Sequence, residues 1–433
     1  MRSILFAALV PAALSAQVAA GPARPITLTE AIDLARRNSP QTVAARNAIN
    51  ANEATVRTRL SSFLPTLSGS ISSGWGQGQV IGERGDIVTR NNETPWSWSR
   101  RLSANWLLFD GGDRNFQLRV ARANVAAAEA NEVAAEFSVA YSVSQQYYAA
   151  LAARESRAAA MTALAEAEQN LRAANARIAS GAATRSDSLR AIIAVGNQQL
   201  AVLSAENDLQ NANAALTRLV GVNFTVTAAD ADTALAPVAA DSAQLAQFLV
   251  TSPALLSAQA SVQAASASVR SSRTDYWPTI STSYGITNNM SDTTFQLWQG
   301  RTLQNKSFGL SMSVPIFNGL AREETVQRAK ITEMNARASL RDAELLAQQQ
   351  LVQYVGQLRL AQARIAIQQA SLEAAQEDLR VQQQRYQLGA STQLELLTTQ
   401  TQLNSARFNL VNARYQVRIA KAQLEQLLGR EIR

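Results

Sequence analysis

"YQLGASTQLELL", residues 386–397, breaks a proline-free stretch at one glycine, and "IASGAATRSDSL", residues 178–189, does the same 208 positions earlier (Gly181 to Gly389). The stretches that lead into these breaks, 113–180 and 320–388, contain no proline, and Gly356 is their only glycine. Glycine and proline are the strongest punctuation of local structure, so each stretch predicts one uninterrupted helix, about 100 Å long at ~1.5 Å per residue. Helices of ordinary globular domains are far shorter.

Beyond the second break, Leu396, Leu403, Leu410, Val417 and Leu424 recur every seven residues, with Ala406, Ala413, Ala420 and Leu427 offset by three. The first copy answers with Val195, Val202, Leu209 and Leu216, and with Ala205, Ala212 and Leu219. This is a coiled-coil seam whose small residues permit close approach. The incoming helix has its own series, Leu358, Ile365, Leu372, Leu379 and Tyr386, so the two arms are expected to pack antiparallel with Gly181 and Gly389 at hairpin tips.

The duplicated turn belongs to a longer repeat. Ser39-Pro40 recurs as Ser252-Pro253, Val56-Arg57 as Val269-Arg270, and Leu64-Pro65-Thr66 as Trp277-Pro278-Thr279, at an offset of 213 (39 to 252). Phe109-Asp110-Gly111 recurs as Phe317-Asn318-Gly319 at 208 (109 to 317), which places a shorter insert between Pro278 and Phe317. Two repeats are predicted, 21–239 and 240–433, each a helix, a strand hairpin, a very long helix, a tip turn and a helix. The segments near 27–62 and 184–220 are each about half a long helix and would match it end to end. Narrow apolar stripes flanked by Gln, Asn, Ala and Ser suit helices wetted on two sides, as in the wall of a hollow tube.

Between the helical blocks the period becomes two. Phe308, Leu310, Met312, Val314 and Ile316 alternate with Ser307, Gly309, Ser311 and Ser313, and Ile280, Tyr284 and Ile286 alternate with Ser281, Ser283 and Thr287. Trp96, Trp98 and Trp106 share one parity of another strand, interrupted by Arg100, and a fourth strand is read near 65–75. All six tryptophans, Trp75, Trp96, Trp98, Trp106, Trp277 and Trp298, fall in these regions, as expected of a membrane interface where the ring is apolar and the N–H wet. Apolar-out, polar-in strands suit a membrane barrel. Four strands cannot close one and lipid does not tolerate open edges, so several chains would share it. A soluble β-sandwich is the other reading of the aromatic strands.

Residues 1–20 read as a secretory signal: Arg2, an apolar run from Ile4 to Leu14, and small residues at Val18-Ala19-Ala20. No cysteine lies near Gly21 to take a lipid. The absence of Cys and His excludes disulfide frameworks, thiolate sites, the usual zinc ligand and the usual general base; neither an enzyme nor a cofactor is expected. The formal charge of +7 comes with scattered arginines on an exported chain, which speaks against nucleic acid. No later segment offers ~18 uncharged apolar residues for a membrane helix. A periplasmic coiled-coil adaptor or structural protein remains the alternative from another class, although adaptors normally carry one hairpin per chain.

The duplicated plan, the Leu-Pro-Thr and Trp-Pro-Thr strand entries, the Phe-Asp-Gly-Gly and Phe-Asn-Gly exits and the Gly-Ala-Xaa-Thr tips together resemble the TolC-like outer-membrane efflux proteins. The resemblance covers essentially the whole mature chain. It implies a mainly α fold with a membrane β-barrel contribution of about four strands per chain. It also implies a homotrimer in outer-membrane lipid, a tunnel into the periplasm, a periplasmic adaptor at the tips and an inner-membrane transporter behind it. By the same resemblance Gly181, Ala182, Thr184, Gly389, Ala390 and Thr392 face the adaptor, and Asp187, Tyr386 and Glu395 form a gate. Ser391 and Thr398 depart from the arginine and second acidic position of one familiar gate. Thr184-Xaa-Xaa-Asp187 and Thr392-Xaa-Xaa-Glu395 also fit capping-box spacing, so cap and gate both stay open for the two carboxylates.

Overall fold

A computed structural model describes residues 23–76, 78–81, 87–90, 96–181, 184–229, 242–292, 295 and 303–432. In chain order the elements are β1 (Arg24–Ile26), α1 (Leu28–Asn38), α2 (Pro40–Ser61), β2 (Thr66–Trp75), β3 (Gly78–Ile81), β4 (Ile87–Arg90), β5 (Trp96–Phe109), α3 (Asp113–Ala179) and α4 (Arg185–Val220). They continue with β6 (Val226–Ala228), α5 (Ser242–Phe248), α6 (Pro253–Ser272), β7 (Thr279–Asp292), β8 (Leu303–Ser313), α7 (Ala321–Gln387) and α8 (Gln393–Leu428). Both long stretches are single helices of 67 residues, α3 and α7, and both return helices, α4 and α8, have 36. The predicted segment 27–62 is two helices, because Ser39 before Pro40 is extended (φ −64°, ψ 130°), as a residue preceding proline prefers.

The chain forms two compact units, and neither coincides with a repeat. The first takes the chain up to Ala44, Glu132–Pro253 and Leu346 onward. Its main core joins Ile26, Ala31, Ala35, Val143, Tyr147, Leu151, Leu216, Val220 and Val226. Strands β1 and β6 pair in parallel there, and the Tyr147 hydroxyl reaches the Ile26 and Ala229 carbonyls at 3.2 and 3.1 Å. A three-residue strand carries no readable period, so this pair has no counterpart in the sequence reading. Along α8 the seam Leu396, Leu403, Ala406, Leu410, Ala413, Val417, Ala420 and Leu424 is buried as the heptads predict. The last step falls on Leu428 rather than Leu427, one residue nearer the period of an unsupercoiled helix. In α4, Ala205 and Leu216 are buried while Val195, Val202 and Leu209 are half-buried.

The second unit, Ala45–Asn131 and Ala254–Leu345, holds a four-stranded antiparallel sheet in the order β2-β5-β7-β8, besides the β3-β4 pair. The register sets Leu67 opposite Ala104, Leu102 opposite Ile286, Tyr284 opposite Phe308 and Ile280 opposite Met312, all on one face. Ser68 opposite Ser103, Gly285 opposite Ser307 and Ser281 opposite Ser311 make the other. Phe308, Leu310 and Met312 are 75, 65 and 64% exposed, an apolar face that water alone would penalise. The alternation therefore matches the expectation, except that β8 ends at Ser313 and leaves Val314 and Ile316 beyond the strand.

Candidate functional site

Two places carry the candidate functional residues, and each lies within one unit. The first is the pair of tips. Gly181 and Gly389 adopt left-handed backbone (φ 77° and 74°) with open space where a Cβ would stand, as the turn reading required. Thr184 and Thr392 are the N-caps of α4 and α8. The Asp187 carboxylate accepts from the Thr184 N–H at 3.0 Å and from its hydroxyl at 2.8 Å, which holds it below the usual carboxylate range. Glu395 is held low first by the Ser391 hydroxyl, which donates to it at 2.6 Å, and then by the Thr392 N–H. In return the Glu395 N–H donates to the Thr392 hydroxyl at 3.3 Å. Both acids are thus helix caps in this structure, and Ser391 serves Glu395.

Tyr386 meets a residue that the sequence reading left out. The Arg177 guanidinium lies 4.5 Å from the centroid of the Tyr386 ring, and its Nη1 donates to the Tyr386 carbonyl at 3.1 Å. This ties the end of α3 to the end of α7. Arg385, at the position matching Arg177, instead donates to the Ala390 carbonyl of its own turn at 3.3 Å. Behind the second tip, Leu379, Leu396 and Leu403 form a small core with Leu372, Ala375 and Tyr386. Ala182 lies outside the described residues.

The second place is where strands become long helices. Arg114 donates to the Leu107 and Leu108 carbonyls (2.7 and 3.1 Å), pairs with Asp110 (2.8 Å) and lies over Phe63. Arg322, 208 positions on, donates to the Pro315 and Ile316 carbonyls (2.9 and 3.1 Å) and lies over Tyr276. These arginines tie the two carbonyls before each Phe-Xaa-Gly corner to the first helical turn: the end of β5 for Arg114, and residues just beyond β8 for Arg322. They follow Phe-Asp-Gly and Phe-Asn-Gly at the same distance, a signal visible in the repeat. Asn318 replaces Asp110 in the second tie, where the Arg322 Nε is buried without a partner among the described residues.

The tryptophans are not one belt. Trp75 is exposed, and Trp106 donates to the Phe63 carbonyl at 2.9 Å. Trp98 is buried, stacked on Trp96 and edge-on to Phe295, so its N–H is not wet as expected. Trp277 precedes β7 and packs over Gly111 rather than standing on a strand. Trp298 lies outside the described residues.

The family model for outer membrane efflux proteins matches residues 31–222 and 244–430. The chain belongs to that family. It is 30% identical to protein CyaE of Bordetella pertussis over 88% of this chain and 79% of that one. It is 26% identical to the outer membrane efflux protein BepC of Brucella suis, over 93% and 85%. The fold matches that of the outer membrane protein VceC from Vibrio cholerae with a TM-score of 0.75 at 19% identity, over 94% and 97% of the two chains. This outer membrane efflux protein is accordingly a transport duct rather than an enzyme, placed in the bacterial outer membrane and extending into the periplasm. The reading as a free periplasmic coiled coil therefore falls away.

Proposed function

We propose that the chain works as a homotrimer in outer-membrane lipid, forming the exit duct for cargo that an inner-membrane transporter delivers through a periplasmic adaptor. The supporting observation is the sheet: four strands, both edges unpaired among the described residues, one face apolar and exposed. Lipid penalises unsatisfied backbone groups, so such a sheet calls for further copies to close it. Each repeat, 21–239 and 240–433, contributes one hairpin to the barrel and one to the tips. Gly181 and Thr184 with Gly389, Ala390 and Thr392 offer the adaptor small side chains and exposed backbone, and Ala182 belongs to the same turn in the sequence.

Asp187 and Glu395 do double duty in this reading. As caps they start the return helices; in an assembly they add two carboxylates per chain to the narrow end, ionised at neutral pH because both are held low. A ring of carboxylates favours cations and resists closure, while the Arg177–Tyr386 tie holds the ends of α3 and α7 together. Single-channel recording in lipid bilayers tests this. The folded protein should give discrete, cation-preferring steps, and Asp187→Asn with Glu395→Gln should weaken that preference. Unchanged selectivity would leave the two acids as caps alone, and folded protein that gives no steps would contradict the duct.

A further inference from the structure

The polar face of the four-stranded sheet carries a single charge. The register sets Ser70 opposite Arg101, Arg101 opposite Thr287, and Thr287 opposite Asn305, one rank across all four strands. Every other residue on that face of β2, β5, β7 and β8 is Ser, Thr, Gly, Asn or Leu. No Asp or Glu stands there among the described residues, so the exposed Arg101 side chain faces no opposite charge across its strand pairs. Arg100, next in the chain, has the other parity and stands on the apolar face, opposite Ile71 and Asn288.

We propose that Arg101 forms an anion-binding ring in the barrel lumen, where it takes carboxylate- or phosphate-bearing solutes on their way out. The proposal rests on the shared barrel proposed above and adds a charge to its interior. Where the apolar face meets lipid, the Ser-rich face lines the lumen, and symmetry sets one Arg101 per chain at a single height. Three copies of four strands, spaced ~4.8 Å and tilted ~40°, enclose a radius of about 12 Å. An arginine side chain spans about half of that radius, so each guanidinium comes within a Debye length of ~8 Å of the axis. Low-dielectric walls focus the field of such a ring on whatever occupies the lumen. The guanidinium fork matches carboxylate and phosphate oxygens, and rings of Arg or Lys line pores that pass anions. The carboxylates of the tips have the opposite sign and belong to the other unit, so the current through a whole duct mixes the two and the lumen has to be probed locally.

The chain contains no cysteine, so one introduced thiol reports the potential beside it. Ser103→Cys stands on the same face two residues from Arg101, and Ser313→Cys stands at the end of the β7–β8 ladder. In trimers purified in mild detergent at low ionic strength, the ratio of reaction rates with an anionic and a cationic methanethiosulfonate should be at least about threefold higher at Ser103→Cys than at Ser313→Cys. Arg101→Gln should remove that preference and Arg101→Lys should keep it, which separates charge from shape. Inorganic triphosphate should slow the anionic reagent at Ser103→Cys, and Arg101→Gln should abolish this competition. Thr287→Cys, directly opposite Arg101, is a second reporter should Ser103→Cys disturb folding. A trimer whose rate ratio is unmoved by Arg101→Gln, or in which triphosphate does not compete, overturns the ring and leaves the shared barrel standing. A folded chain that stays monomeric overturns both.

Discussion

Single residues decide the tips. Asp187 and Glu395 have folded-state values below those of an unfolded chain, so the stability they contribute is fully present above the unfolded values and is lost as pH falls through the folded ones. Hydrogen exchange at 185–188 and 393–396, corrected for its intrinsic pH dependence, should show steady protection from neutral pH to about pH 5, then a loss below about pH 4. Glu395→Gln should remove the acid-dependent part at 393–396 and keep the cap, because glutamine also fits the box. Gly389→Val forces a β-branched residue into left-handed backbone, a cost of about 1–2 kcal/mol, and should impair transport while the sheet still assembles. Membrane insertion and efflux assays on the same variant separate those outcomes; loss of both would make the turn a folding element. The Thr-Xaa-Xaa-acid spacing made these caps legible in the sequence. Arg177 was not legible, because its partner Tyr386 lies 209 positions away (177 to 386) and local patterning carries no such pairing.

At the level of elements, the heptads and the period-two strands were plain because each buries or exposes one continuous face. Proline and glycine marked the long helices to within a residue, yet Pro40 also divided the segment near 27–62 that was read as one. The tryptophans misled where tertiary packing overrode type: Trp98 is covered by Trp96 and Phe295, and Phe295 lies in a stretch without strand periodicity. Two measurements follow from the faces. Spin labels at Leu310 should contact lipid and labels at Ser311 should contact water, since their parities differ; equal accessibility would refute the orientation of the sheet. Leu403→Ala removes a side chain 2% exposed and should cost about 2–4 kcal/mol in the second tip hairpin, whereas Leu203→Ala, 61% exposed in the single chain, should cost little before assembly. Urea denaturation of both variants in detergent checks the contrast.

For the molecule as a whole, the sequence carried the class of protein because duplication, helix length and strand parity are all periodic properties. In the proposed duct, one chain contributes four strands to a barrel closed by its copies. Native mass measurement of the protein extracted from outer membranes in mild detergent tests it most directly. A single species of three chains is expected, dissociating only on harsh denaturation and then losing its β signal. A monodisperse monomer that retains the β signal would contradict it.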